Sequence, residues 1–219
     1  MSNVEEHFLP VERTARYFTA GQLDQQTPCV WLVFHGYGQL ASGMIRNFST
    51  LADYGHYIIA PEGLSRFYWD GMVRQPGASW MTKEDRLHEI RDYNNYLSKL
   101  FYRFQDRFPA QASIHLLGFS QGVATAVRWF AHEKPSVDNL TVWAGEMPPD
   151  VDYNGLRPFL DKTKVTLVSG TEDQFISTDQ MQQQVEYVKQ YTPHVAYYTF
   201  EGKHRLDEDT LLTLANIQK

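Results

Sequence analysis

Ser113-Ile114-His115-Leu116-Leu117-Gly118-Phe119-Ser120-Gln121-Gly122-Val123 is the stretch on which the reading of this chain turns. Its first five residues form a short apolar run suited to a buried strand. From Val123 to Ala131 the apolar residues recur at helical spacing without Pro or further Gly. A Gly-x-Ser-x-Gly placed between a strand and a helix predicts a turn so sharp that only glycine fits on either side of the serine. The Ser120 hydroxyl would then project above the sheet, with a helix N-terminus behind it.

Working outward, strand and helix signals alternate along the whole chain. Residues 14–19 alternate like an edge strand, 29–34 form a continuous apolar run, and 57–60 form a short buried strand closed by Pro61. Further strands are expected at 139–144, 165–168 and 195–200. Helices are expected at 40–51, 83–108, 178–191 and 208–217, the second with Thr82 as N-cap and Asp85 at the capping-box position. Strands separated by helix-length segments imply an α/β fold, with a mostly parallel central sheet and helices on both faces. The irregular stretches 62–81 and 145–163 are too short for a separate cap domain. One domain spanning residues 1–219 is expected.

Composition narrows the function. The 20 Lys and Arg residues against 26 Asp and Glu give a net charge of −6, which offers nothing to a nucleic-acid backbone. No run approaches the roughly 18 apolar residues of a membrane span, and residues 1–10 lack the basic and apolar regions of a signal peptide. The single cysteine, Cys29, lies in an apolar strand and has no partner for an intramolecular disulfide. A cytoplasmic protein, monomeric or homodimeric, is expected.

Serine is a weak nucleophile without a base, and the base needs an orienting group. When the nucleophile sits on this kind of turn, the order along the chain is nucleophile, acid, histidine. Three histidines follow Ser120. His132 lies at the far end of the following helix, and His194 enters the last strand from the wrong end. His204 comes just after the last strand, at the carboxyl edge where open α/β sheets place their sites. The acid should follow the preceding strand, where Asp173 and Glu172 both qualify and Asp173 is favoured. Asp179 and Asp207 read as helix caps or first-turn acids. The oxyanion hole should combine the backbone N–H of Gln121 with one from the loop His35-Gly36-Tyr37-Gly38, for which Tyr37 is the choice. His35 itself reads as a brace for that loop.

These residues together resemble the carboxylesterase/phospholipase family of α/β-hydrolases, which includes the acyl-protein thioesterases. The resemblance runs from the His-Gly-x-Gly at His35 to His204. It includes an unaltered G-F-S-Q-G at Gly118–Gly122 and a G-x-x-D at Gly170–Asp173, which separately favours Asp173. It implies an α/β-hydrolase fold, a Ser120-Asp173-His204 triad, hydrolysis of carboxylic esters or thioesters, and no cofactor or metal. The chain departs from the family around the pocket. Lys203 stands where a glycine usually precedes the histidine, Ile176-Ser177 replaces Val-Pro, and Gly145-Glu146-Met147-Pro148 replaces a Ser-Gly continuation.

Phe67, Tyr68, Trp69, Met72, Trp80 and Met81 lie in or beside the first long loop. Trp69 and Trp80 are the pair expected to form an apolar wall for a small-molecule ester or acyl substrate. Glu146 either lines the same pocket or bonds a neighbouring loop, and Arg66 and Arg74 are available to an acidic group. The expected activity is therefore a serine esterase acting through an acyl-enzyme. Lysophospholipase, acyl-thioesterase and peptidase activities are alternatives within that class. A non-catalytic binding protein on the same fold is the alternative outside it.

Overall fold

The computed structural model describes residues 3–69 and 75–217. Nine strands are described: β1 (Tyr17–Ala20), β2 (Cys29–Phe34), β3 (Tyr57–Pro61), β4 (Ser65–Phe67), β5 (Gly77–Ser79), β6 (Ser113–Phe119), β7 (Asn139–Trp143), β8 (Lys164–Gly170) and β9 (Val195–Phe200). The helices are α1 (Ala41–Met44), α2 (Ser49–Asp53), α3 (Arg86–Gln105), α4 (Gln121–Glu133), α5 (Tyr153–Leu160), α6 (Thr178–Lys189) and α7 (Glu208–Leu214).

Seven strands make one sheet in the order β1-β3-β2-β6-β7-β8-β9, parallel throughout except for β1 against β3. The central strands are continuous apolar runs because both their faces are covered. Every residue of β2 and β3 is buried, as are the last five of β6. From β2 the chain steps outward to β3, then returns across β2 to β6 and continues in the opposite direction to β9. Right-handed crossovers therefore put α3, α4, α5 and α6 on one face and α1 and α2 on the other, and α7 joins α2 through the contact of its Glu208 with Thr50. Packing agrees with this assignment. Ser98 of α3 accepts the Trp129 indole N–H of α4. The direction of winding switches between β2 and β6, and a crevice at the carboxyl ends of two such strands is where open α/β sheets bind ligands.

Four local expectations are corrected. The helix expected at 40–51 is broken by a 3-10 turn at Ile45–Phe48 into α1 and α2. The long helix begins at Arg86, and Thr82 does not cap it: the Thr82 N–H and hydroxyl both bond the Glu89 carboxylate instead. The 62–81 stretch contains the antiparallel pair β4–β5, and the 145–163 stretch contains α5. Gly155 and Pro158 hide α5 in the sequence. Asp152 compensates by accepting the Gly155 N–H, and the carbonyl that Pro158 leaves unpaired belongs to exposed Asn154. No helix among the described residues is long and apolar enough to cross a membrane.

Candidate active site

Ser120 is the single residue between β6 and α4, with φ 53° and ψ −120°. A non-glycine residue in that region costs on the order of 1–3 kcal/mol and persists only where its surroundings hold it. Here the Ser120 N–H donates to the Trp143 carbonyl at 2.9 Å, and the Ser120 carbonyl accepts the Val123 N–H at 3.0 Å. The flanking glycines are steric necessities. A methyl at Gly118 would lie 2.4 Å from Val123 Cα, and one at Gly122 would lie 2.1 Å from the Phe34 carbonyl oxygen.

The loops after β8 and β9 are joined by backbone hydrogen bonds, Thr171 N–H to the Phe200 carbonyl and Glu172 N–H to the Gly202 carbonyl. This splice brings Asp173 to His204. Asp173 Oδ2 accepts from His204 Nδ1 at 2.8 Å, and Oδ1 accepts the backbone N–H groups of Phe175 at 2.8 Å and Ile176 at 3.2 Å. The Asp173 side chain is fully buried and that of His204 is 16% exposed. With Nδ1 donating, a neutral His204 ring presents Nε2 as an acceptor. Glu172 is exposed, and the carboxylate that bonds His204 is that of Asp173. The His204 ring packs against Phe119, the residue before Ser120, with ring centroids 4.8 Å apart. Among the described residues the Ser120 hydroxyl makes no hydrogen bond.

The loop after β2 lies directly over the serine: a methyl at Gly36 would be 3.2 Å from Ser120 Cβ. Its backbone donors are almost all committed. Gly36 N–H donates to Gln39 Oε1, Gly38 N–H to the Ala78 carbonyl, and Gln39 N–H to the Gly36 carbonyl. Among the described residues the Tyr37 N–H has no acceptor, nor does that of Gln121 at the first position of α4. His35 explains which way the Tyr37 N–H points. Its Nε2 accepts the Gly63 N–H at 2.9 Å, so Nδ1 carries the proton and donates to the Gly36 carbonyl at 2.8 Å. In a trans peptide the N–H points opposite to the C=O, which turns the Tyr37 N–H away from the His35 ring. Burial lowers the His35 pKa to about 4, despite the Gly36 carbonyl and the Glu62 carboxylate. A neutral ring with both nitrogens engaged is a brace and not a second base.

The aromatic pair expected to wall the pocket divides. Trp69 is 55% exposed, lies against Gly38, and meets the rings of Tyr37 and Phe67 edge-on. Trp80 is corrected to a buried position. It is 2% exposed, stacks on His35 at 4.9 Å, and donates its indole N–H to the His35 carbonyl at 2.9 Å. Glu146 is exposed on the loop after β7, next to Gly145, where an added methyl would lie 2.5 Å from the Ser120 carbonyl oxygen. Arg66 is engaged by Glu62 at 2.8 Å, and Met72 and Arg74 lie outside the described residues.

Three features escape sequence reasoning. The Gln121 side chain grips the segment after β5, accepting the Trp80 N–H and donating to the Met81 carbonyl at 2.9 Å. Glu62, buried at the carboxyl end of β3, gathers Arg16, Arg66 and the Ala41 N–H at the start of α1. Burial would raise its pKa, but the hydrogen bonds from Arg66 and Arg16 and the Ala41 N–H outweigh that and hold it low. Phe175 sits edge-on to His204 and is 69% exposed. Only Phe175 left a signal in the sequence, as an aromatic residue two positions after Asp173.

The fold has close relatives in shape and distant ones in sequence. A maize (Zea mays) acyl-protein thioesterase 2 superposes with a TM-score of 0.70 at 16% identity, covering 93% of this chain and 97% of that one. A Bacillus cereus carboxylesterase gives 0.64 at 12% identity over 92% of each chain. A monoacylglycerol lipase from Paleococcus ferrophilus gives 0.60 at 11% identity, covering 93% and 97%. No curated protein sequence matches the chain. The sequence model described as Phospholipase/Carboxylesterase matches residues 20–217. The chain, an α/β-hydrolase in fold, belongs to the phospholipase/carboxylesterase family.

Proposed function

We propose that this protein is a serine hydrolase that cleaves carboxylic esters through an acyl-enzyme, with Ser120 as nucleophile, His204 as base and Asp173 as its orienting acid. The observation that carries the reading is the buried Asp173–His204 pair, set beside a serine on a strained strand-to-helix turn. His204 Nε2 takes the hydroxyl proton as Ser120 Oγ attacks the ester carbonyl. The negative charge that develops on the carbonyl oxygen is met by the N–H groups of Tyr37 and Gln121, each worth on the order of 3 kcal/mol to the transition state. The imidazolium, stabilised by Asp173, then protonates the leaving oxygen. Water activated by the same nitrogen releases the acid and restores the serine.

The mechanism uses only groups of this chain and calls for no cofactor. It also serves a thioester, because the thiol leaves by the same step. Trp69, against Tyr37, and Glu146, beside Gly145 on the loop after β7, are the proposed substrate contacts. The proposed setting is the cytoplasm, on the strength of one unpaired thiol, Cys29, which is buried and whose pKa burial raises.

Hydrolysis of a p-nitrophenyl ester series, acetate to dodecanoate, tests the reading. Turnover that falls at least 10³-fold in Ser120→Ala supports it. Equal rates in the two proteins would refute it, and no turnover by either would point to a binding protein on this fold.

A further inference from the structure

The His204 ring meets two phenyl groups. Phe119 is 3% exposed and belongs to the core. Phe175 meets the imidazole edge-on at 4.8 Å, yet is 69% exposed. Bracing the histidine does not require that exposure, because the loop is already anchored without the phenyl. Asp173 is fixed by the backbone N–H groups of Phe175 and Ile176, and the neighbouring Ile176 fills the buried position. The exposed ring is therefore a surface available to something that approaches His204.

On the hydrolase reading above, on which this inference rests, the chemistry identifies what approaches. His204 must hand its proton to the leaving oxygen, so the alcohol half of the ester lies on the His204 side of the reacting carbon. We propose that Phe175 is a specificity-determining contact for the alcohol portion, and that the site favours esters whose alcohol carries an aromatic ring. In the favoured reaction the C–O bond of the tetrahedral intermediate breaks. The electron pair stays on the benzylic oxygen, the His204 Nε2 proton joins it, and the neutral aromatic alcohol leaves across the Phe175 face. Offset or edge-to-face ring pairs add to simple area burial, enough together for a preference on the order of tenfold.

The test keeps the acyl group constant and varies the alcohol: ethyl, cyclohexylmethyl and benzyl acetate, with wild type, Phe175→Ala and Phe175→Trp. Wild type is expected to favour benzyl over ethyl acetate by about tenfold in kcat/KM, chiefly through KM, and over cyclohexylmethyl acetate by about threefold. Phe175→Ala should lower the benzyl reaction more than the ethyl one and erase the advantage over cyclohexylmethyl. Phe175→Trp should retain it. An equal fall for all three esters in Phe175→Ala would make the phenyl a brace for His204 and overturn the proposal, as would a wild type indifferent to the alcohol. Both results leave the hydrolase reading standing. That reading fails separately, and takes this one with it, if no ester is turned over and Ser120 does not react with a fluorophosphonate.

Discussion

Asp173 and Trp80 show how much a single residue's surroundings decide. In Asp173→Asn the amide oxygen can still accept the N–H groups of Phe175 and Ile176, but the amide nitrogen faces His204 Nδ1 as a second donor. The imidazole then shifts to the tautomer that presents a proton to Ser120 in place of a lone pair. We expect kcat to fall by about 10³- to 10⁴-fold with little change in the denaturation midpoint, as measured by ester hydrolysis and urea unfolding. A loss of stability as large as the loss of activity would mean that Asp173 serves the loop and not the chemistry. Trp80 teaches the opposite lesson, because nothing in a linear sequence separates it from Trp69. Their difference is that the Trp80 indole reaches the His35 carbonyl under the loop, while Trp69 ends on the surface of Gly38. The candidate triad was legible because its members fall at the ends of strands. The fate of the two tryptophans depends on how the 62–81 stretch doubles back as β4 and β5, which local pattern does not encode.

At the scale of elements, β6, Ser120 and α4 form one unit, and the loop after β2 is pressed onto it. β2 and β6 were legible as apolar runs because their faces are covered on both sides, and α6 because its apolar residues recur at helical spacing. α5 and the break between α1 and α2 were not, because tertiary packing overrode local propensity. Gly36 tests the contact between loop and elbow. An added methyl would meet Phe119 Cδ1 at 3.1 Å, Ser120 Cβ at 3.2 Å and Gln39 Oε1 at 3.3 Å, so the loop must shift by a few tenths of an ångström. Gly36→Ala should lower kcat by on the order of tenfold or more while costing about 1 kcal/mol of stability, since the proposed oxyanion donor moves with the loop. Activity unchanged in this variant would place the donor elsewhere.

For the whole molecule, three buried histidines set the acid limit. His35, His56 and His115 each accept a hydrogen bond at a ring nitrogen, from the Gly63 N–H, the Trp31 indole N–H and the Asn139 amide. Protonation would set donor against donor in a buried place. Burial accordingly lowers all three, His35 and His115 from 6.5 to about 4. The unfolded chain then binds more protons than the folded one between those values. Stability is complete above pH 6.5 and is lost as pH falls toward 4, by on the order of 3 kcal/mol for each of His35 and His115. Glu62, held low by its arginines, adds a further loss below about pH 4.5. Urea midpoints measured from pH 8 to pH 4 should fall across this window, and more shallowly in His115→Gln. A midpoint independent of pH would contradict the neutral assignment of these rings.

The same architecture places the switch in strand order between β2 and β6, so the Tyr37 loop and Ser120 emerge side by side, with the Asp173–His204 pair reaching them from β8 and β9. The direct test is the intact mass of the folded protein after exposure to a fluorophosphonate, followed by peptide mapping. One adduct on Ser120, absent in Ser120→Ala and formed far more slowly in His204→Ala, is the predicted result. An unmodified wild type, or an adduct on any other residue, would contradict the assignment of Ser120 as an activated nucleophile.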